Sequence, residues 1–162
     1  MEPNLVGRNI GNYVVSKKLG AGGMGTVYLC EHPLLKRKAA LKILHEDMAD
    51  KPEVVDRFFH EAKAAAEIGH PNIVDVLDFG RVPGDDGKEI VYLLMEFLEG
   101  ESLSARHERQ PLTIPEIQHI FSQCCAALTV SHQKGIIHRD LKPENIYLIH
   151  KGDDPLFVKV LD

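Results

Sequence analysis

The sequence predicts an α+β fold in two lobes, and three observations carry that prediction. Five short apolar or β-branched runs crowd the first 96 residues, with one helical stretch among them. The character of the chain changes after Phe97-Leu98-Glu99-Gly100. A long helical stripe then leads to two more short strand-like runs. At 162 residues there is enough chain for one domain or two small lobes, each with a core.

Taken in order, Tyr13-Val14-Val15 opens the first strand, which runs into Gly20, Gly22, Gly23 and Gly25. Val27-Tyr28-Leu29-Cys30 resumes an extended pattern, so the glycines read as a hairpin turn. Ala39 to Leu44 is a third strand. The helix that follows is predicted from Asp50 as N-cap, with Glu53 three residues on and Val55, Phe58, Ala62 and Ala65 at helical spacing; Gly69 stops it. Ile73–Leu77 and Ile90–Met95 are predicted strands around a Gly84–Gly87 turn. Past residue 101, Thr113 and Glu116 form a capping box with Pro115 in the first turn. Ile117, Ile120, Phe121, Cys124 and Leu128 make the apolar stripe, and Gly135 ends it. Ile146–Ile149 and Phe157–Leu161 close the chain as a hairpin around Gly152–Pro155.

Bulk properties narrow the function classes. A net charge of −5 disfavours nucleic acid and anionic membranes as partners. No apolar run reaches the ~20 residues that span a bilayer, and Met1–Asn4 lacks the basic and apolar regions of a signal peptide. Three cysteines, two of them adjacent, offer no disulfide framework and no metal spacing, so a cytoplasmic location is expected. The nine histidines show no paired ligand spacing and read as structural.

Four motifs carry chemistry. Gly20-Ala21-Gly22-Gly23-Met24-Gly25-Thr26-Val27 matches G-x-G-x-x-G-x-V. Glycines let backbone N–H groups approach phosphates, although a tight hairpin also needs them for its own sake. A dinucleotide site would need a helix after the glycines, and here a strand follows. Lys42 ends an apolar run as either a solvated strand end or a phosphate partner. Glu61, mid-helix among alanines, is either a solvated face or the carboxylate that holds such a lysine. The specific signal is His138-Arg139-Asp140-Leu141-Lys142-Pro143-Glu144-Asn145, which fills every fixed position of H-R-D-L-x-x-x-N. A carboxylate, a lysine two residues on and an amide five residues on can respectively orient a hydroxyl, touch a phosphoryl group and hold a metal ion.

On these residues the chain resembles the protein kinases. With Ile10-Gly11-Asn12-Tyr13, Gly22–Tyr28 and His70-Pro71-Asn72-Ile73-Val74, it resembles the bacterial Ser/Thr kinases of the eukaryotic-like (Hanks) type. That resemblance implies a protein-kinase-like two-lobed fold: a complete small β-rich lobe over 1–96, a hinge over 97–101, and a truncated helical large lobe over 102–162. It implies ATP and Mg²⁺ as cofactors and protein Ser/Thr hydroxyls as acceptors. Gly20, Gly22 and Gly25 would cover the phosphates. Leu19, Val27 and Ala40 would roof the adenine, with Tyr147 as floor and Met95 as gatekeeper. The backbone of Glu96 and Leu98 would meet the adenine edge. Lys42, paired with Glu61, would bind the α- and β-phosphates. Asp140 would be the catalytic base, Lys142 the γ-phosphate contact, and Asn145 with Asp162 the Mg²⁺ ligands. Arg139 resembles the arginine that meets a phosphorylated activation loop in regulated members. A second kinase or a second copy of the chain is an implied partner.

The Phe-Gly expected after Asp162, the activation loop and the later helices fall outside these 162 residues. The chain is therefore expected to behave as an N-terminal piece and a poor catalyst by itself. The 113–134 stripe would leave several large side chains exposed, at ~1.5–3 kcal/mol of lost burial each. The alternative reading is a non-catalytic module that binds nucleotide or a partner. A small-molecule phosphotransferase ranks last, because the glycine loop and Lys142 do not suit it.

Overall fold

The computed structural model describes residues 5–85 and 87–161. The chain divides into two compact units, Met1–Lys63 with Val76–Phe97, and Ala64–Asp75 with Leu98–Asp162.

The first unit is built on an antiparallel six-stranded sheet. Its strands are β1 (Asn9–Ile10), β2 (Tyr13–Ala21), β3 (Gly25–Glu31), β4 (Lys38–Leu44), β5 (Val76–Pro83) and β6 (Glu89–Glu96), in the order β1-β2-β3-β4-β6-β5. Alternation sorts their side chains cleanly, because residues opposite one another across a ladder share a face. Val27 faces Lys42, and Ala40 faces both Leu29 and Met95. The intervening residues Tyr28, Cys30, Leu41, Ile43, Tyr92 and Leu94 pack on the other face, where Leu5, Ile10 and Val15 complete a buried core. Burial pushes the Cys30 thiol up to about 12, so this cysteine packs as an apolar residue.

Helices α1 (Glu46–Ala49) and α2 (Pro52–Ile68) follow β4. The capping box expected at Asp50 and Glu53 is absent. Asp50 instead closes α1 at its C-terminus, and Pro52 opens α2, a position where its missing N–H costs nothing. Gly69 ends α2 at φ +61°, as a left-handed glycine should.

The strand predicted over Ile73–Leu77 is not formed along that length. The strand β5 starts only at Val76. Ile73 and Val74 are drawn instead into the second unit. Val74 N–H donates to the Val160 carbonyl at 3.0 Å, and Val160 N–H donates to Asn72 at 2.8 Å. The buried Asn72 amide locks this arrangement by donating to Val158 O (2.8 Å) and Gln123 Oε1 (2.9 Å).

The rest of the second unit comprises β7 (Gly100–Ser102), α3 (Leu103–Arg109), α4 (Ile114–Gln133), a 3₁₀ turn at Pro143–Asn145, β8 (Ile146–Lys151) and β9 (Asp154–Val160). The strands form one antiparallel sheet, β7-β8-β9. The Thr113–Glu116 capping box is formed on both sides, with Glu116 accepting from Thr113 N–H at 2.7 Å. Ile120, Cys124 and Ala127 of α4 pack on Ile146, Leu148, Val158 and Val160. Helix α3 lacks a clear sequence stripe and was not foreseen. Ser102 caps it, accepting from Ala105 N–H at 3.1 Å. Lys134 Nζ donates to the Glu67 and Ile68 carbonyls, placing a cation on the C-terminal end of α2.

Candidate active site

In the first unit the residues expected around a nucleotide lie on one face of the sheet. Val27, Ala40, Lys42 and Met95 share it through the β3–β4 and β4–β6 registers, while Glu96 pairs with Ala39. Leu19 falls at an irregularity of the β2–β3 ladder, between Lys18 and Gly20, and is exposed. The glycines differ among themselves. A Cβ on Gly20, Gly22 or Gly23 would meet nothing within 4 Å, so the space there is open. A Cβ on Gly25 would sit 2.1 Å from the Ile43 carbonyl oxygen. Gly25 is thus demanded by the close approach of β3 and β4, whatever binds at the loop.

Lys42 is half-buried on β4. Glu61 lies on the exposed side of α2, beside the buried Phe58 and Ala62, and no ion pair between it and Lys42 is found among the described residues. The expected lysine–glutamate pair is therefore not formed in this structure. The physical reason lies in the helix: its packing is set by Val55, Phe58 and Ala62, and that register turns position 61 toward solvent.

In the second unit the loop from His138 to Asn145 brings its expected side chains together. Lys142 Nζ donates to both Asp140 oxygens, at 3.2 Å and 2.9 Å. Asn145 Nδ2 donates to Asp140 Oδ2 at 3.0 Å and to the Asp140 carbonyl at 2.9 Å. The Lys142 hydrogen bond foremost, then its charge and the Asn145 bond, hold the Asp140 carboxyl below its ordinary value. Asp140 is therefore ionised across the neutral range, with an exposed carboxylate ready to accept a hydroxyl proton's hydrogen bond. Arg139, one residue before, takes φ +65°, a left-handed conformation that costs a non-glycine residue of order 1–2 kcal/mol. Its side chain is exposed.

His138 has a part that sequence reading did not assign. Asp140 N–H donates to its Nδ1 at 3.3 Å, so the ring proton sits on Nε2, which donates to the Leu161 carbonyl at 2.8 Å. Leu161 N–H in turn donates to the Asn145 carbonyl at 2.8 Å. One imidazole and one backbone bond thus tie the loop to the segment that leads to residue 162. The only signal for this role was the histidine's fixed place in the motif.

The donor set suits the cofactors. Asn145 uses its amide N–H₂ on Asp140, and its Oδ1 accepts no hydrogen bond among the described residues, leaving a hard carbonyl oxygen of the kind Mg²⁺ takes. The second expected ligand, Asp162, lies outside the described residues. Tyr147 is half-buried on β8 opposite Lys159 and Ser102, and Leu98 is half-buried just past the first unit's last residue.

Comparison with known proteins agrees with the motifs. The model of the protein kinase domain matches residues 13–162. The chain is 44% identical over 158 residues to the serine/threonine-protein kinase Pkn1 of Myxococcus xanthus, covering 98% of this chain and 22% of that protein. It is 39% identical over 160 residues to the serine/threonine-protein kinase PrkC of Bacillus subtilis, covering 98% and 23%. The chain thus spans less than a quarter of the length of these relatives. Among solved structures it is similar to the Mycobacterium tuberculosis PknI kinase domain, with a TM-score of 0.77 and 32% identity, over 97% of this chain and 61% of that one. The apo form of PpkA-294, at 22% identity and TM-score 0.82, shares the fold. With the model of the protein kinase domain matched from residue 13 to residue 162, this chain belongs to the protein kinase family.

Proposed function

We propose that this chain supplies the nucleotide- and hydroxyl-handling residues of an ATP-dependent protein serine/threonine kinase. The observation that carries the reading is the Asp140 carboxylate, ionised and held from two sides by Lys142 and Asn145. Asp140 orients the acceptor Ser or Thr hydroxyl and accepts its proton. Lys142 turns from Asp140 to the γ-phosphoryl oxygens and offsets their charge. Its presence in D-x-K-P-x-N favours Ser/Thr over Tyr acceptors. Asn145 Oδ1 and Asp162 are the residues that would hold Mg²⁺, which would supply charge neutralisation at the phosphates. The open space at Gly20 and Gly22 admits the phosphates, and Gly25 anchors the loop they belong to. Lys42 reaches the α- and β-phosphates. Val27, Ala40, Met95 and Leu19 are the first unit's residues assigned to adenine, with the Glu96 backbone at its edge; Tyr147 and the Leu98 backbone are assigned the same ligand from the second unit's sequence.

Glu61 joins Lys42 only after α2 shifts, so the chain as it stands is a slow catalyst. That observation favours a second reading, a module that binds nucleotide or a partner kinase without turnover. Phosphorylation of a Ser/Thr peptide by the 162-residue chain with radiolabelled MgATP, in parallel with nucleotide titration, separates the two. Slow transfer abolished by Asp140→Asn supports the kinase. Nucleotide binding without transfer supports the module, and neither binding nor transfer sinks both. Turnover at the ~1–100 per second of ordinary kinases would overturn the claim that the unpaired Glu61 limits this chain.

The partners in this reading are a protein substrate and a second kinase molecule. No helix among the described residues is long and apolar enough to cross a membrane. The proposed location is the cytoplasm, which suits three free cysteines.

A further inference from the structure

A cavity of about 840 Å³ opens on the face of the six-stranded sheet opposite Val27, Ala40 and Lys42. Its volume lies within the ~300–1,000 Å³ of small-molecule sites. The floor is apolar, formed by the buried Leu5, Tyr28, Ile43 and Ile90. One wall is polar: the buried Thr26 hydroxyl meets His45 Nε2 at 3.4 Å.

The rim decides what charge the cavity takes. Its two cations are already engaged, Arg8 with Asp85 at 3.2 Å and Lys88 with Glu46 at 2.7 Å. The rim carboxylate Glu89 is held by Arg81 at 2.9 Å. Asp47 and Asp50 also line the cavity and make no ion pair among the described residues. An apolar floor beneath two uncompensated carboxylates attracts a positive group on an apolar body and repels the matching acid.

We propose that this cavity binds an amphipathic cation, a primary amine or guanidinium carried on an apolar body. The apolar body covers Tyr28, Ile43 and Ile90, and the charged end meets Asp47 and Asp50. The site also touches the glycine loop through the protein. His45 N–H donates to the Met24 carbonyl at 3.0 Å, and Thr26 follows Gly25 directly. An occupant pressing on the Thr26–His45 wall therefore stiffens the base of that loop.

The test is a titration of the 162-residue chain with 2-phenylethylamine, followed by amide and methyl NMR shifts, with 3-phenylpropionate as the acidic counterpart. It reads binding alone and is independent of phosphoryl transfer. The expected result is saturable shifts clustered at Leu5, Ile43 and Ile90, and slowed amide exchange at Thr26 and His45. Asp47→Asn/Asp50→Asn, both on exposed positions that leave the fold intact, should weaken the amine roughly tenfold. Absence of saturable shifts, shifts scattered over the surface, or equal affinity for the acid or the double variant would each overturn the proposal.

Discussion

Asp140 shows how much a single side chain's surroundings decide. Its carboxyl is held below the ordinary range chiefly by Lys142, so the ionised form persists to lower pH than in a free aspartate. Any stability tied to that shift is present above the unfolded value and lost as pH falls through the folded one. The exposed setting keeps that contribution small. The activity profile is the better probe: the acid limb of kcat/KM should lie below the usual carboxylate range, and Lys142→Met should move it upward. A limb that stays in place in the variant would remove Lys142 as the cause. Gly25 offers a second residue-scale prediction. Gly25→Ala forces a Cβ against the Ile43 carbonyl and should lower stability by about 1–3 kcal/mol, whereas Gly20→Ala, facing open space, should leave it within about 0.5 kcal/mol. Urea unfolding of the two variants checks the contrast. The motif alone treats these glycines as equivalent, because only the distance between two strands distinguishes them.

At the scale of elements, the junction of α3 and α4 rests on Arg106. It is 7% exposed, donates to the Gln110 carbonyl and reaches Glu116 Oε1 at 3.1 Å. Glu116 is also the acidic half of the α4 capping box, which keeps its carboxyl below its ordinary value, the Thr113 bonds first and Arg106 after them. Arg106→Ala should cost about 1–3 kcal/mol in chemical denaturation, and Arg106→Lys should recover little, since a single ammonium cannot fork to both acceptors. Full rescue by lysine would show that charge alone matters there. The capping box itself was legible in the sequence, since its partners are three residues apart. Helix α3 was not, because its anchor is a buried arginine that pattern reading counts as surface. Ile73–Val74 was misread for a related reason. Local alternation is the same for a strand and for a loop that Asn72 fastens to Val158 and Gln123.

At the scale of the whole molecule, α4 carries an open apolar face. Ile114 and Phe121 are each 68% exposed and Ile117 is 43% exposed, while Ile120 on the same helix is 4% exposed. The expected stripe is thus split between a packed side and an open one. Ile117→Ser/Phe121→Ser should reduce dye binding and concentration-dependent association while changing unfolding free energy by less than about 1 kcal/mol. Ile120→Ala should cost about 2–5 kcal/mol. Sedimentation velocity and urea unfolding of both variants check this, and an unchanged association state in the double variant would show that the open face is inert. From its sequence alone this chain could be placed in its family, because the hairpin glycines and H-R-D-L-x-x-x-N are local. Asp140, Lys142 and Asn145 lie within six residues, so covalent geometry nearly ensures that they meet. Tertiary structure alone decided that Glu61 turns away from Lys42, that Gly25 is needed by its neighbours, and that a cavity lies behind the sheet. Those features join residues far apart in sequence, and long-range packing, where many weak contacts compete, selects among arrangements that local pattern leaves equal.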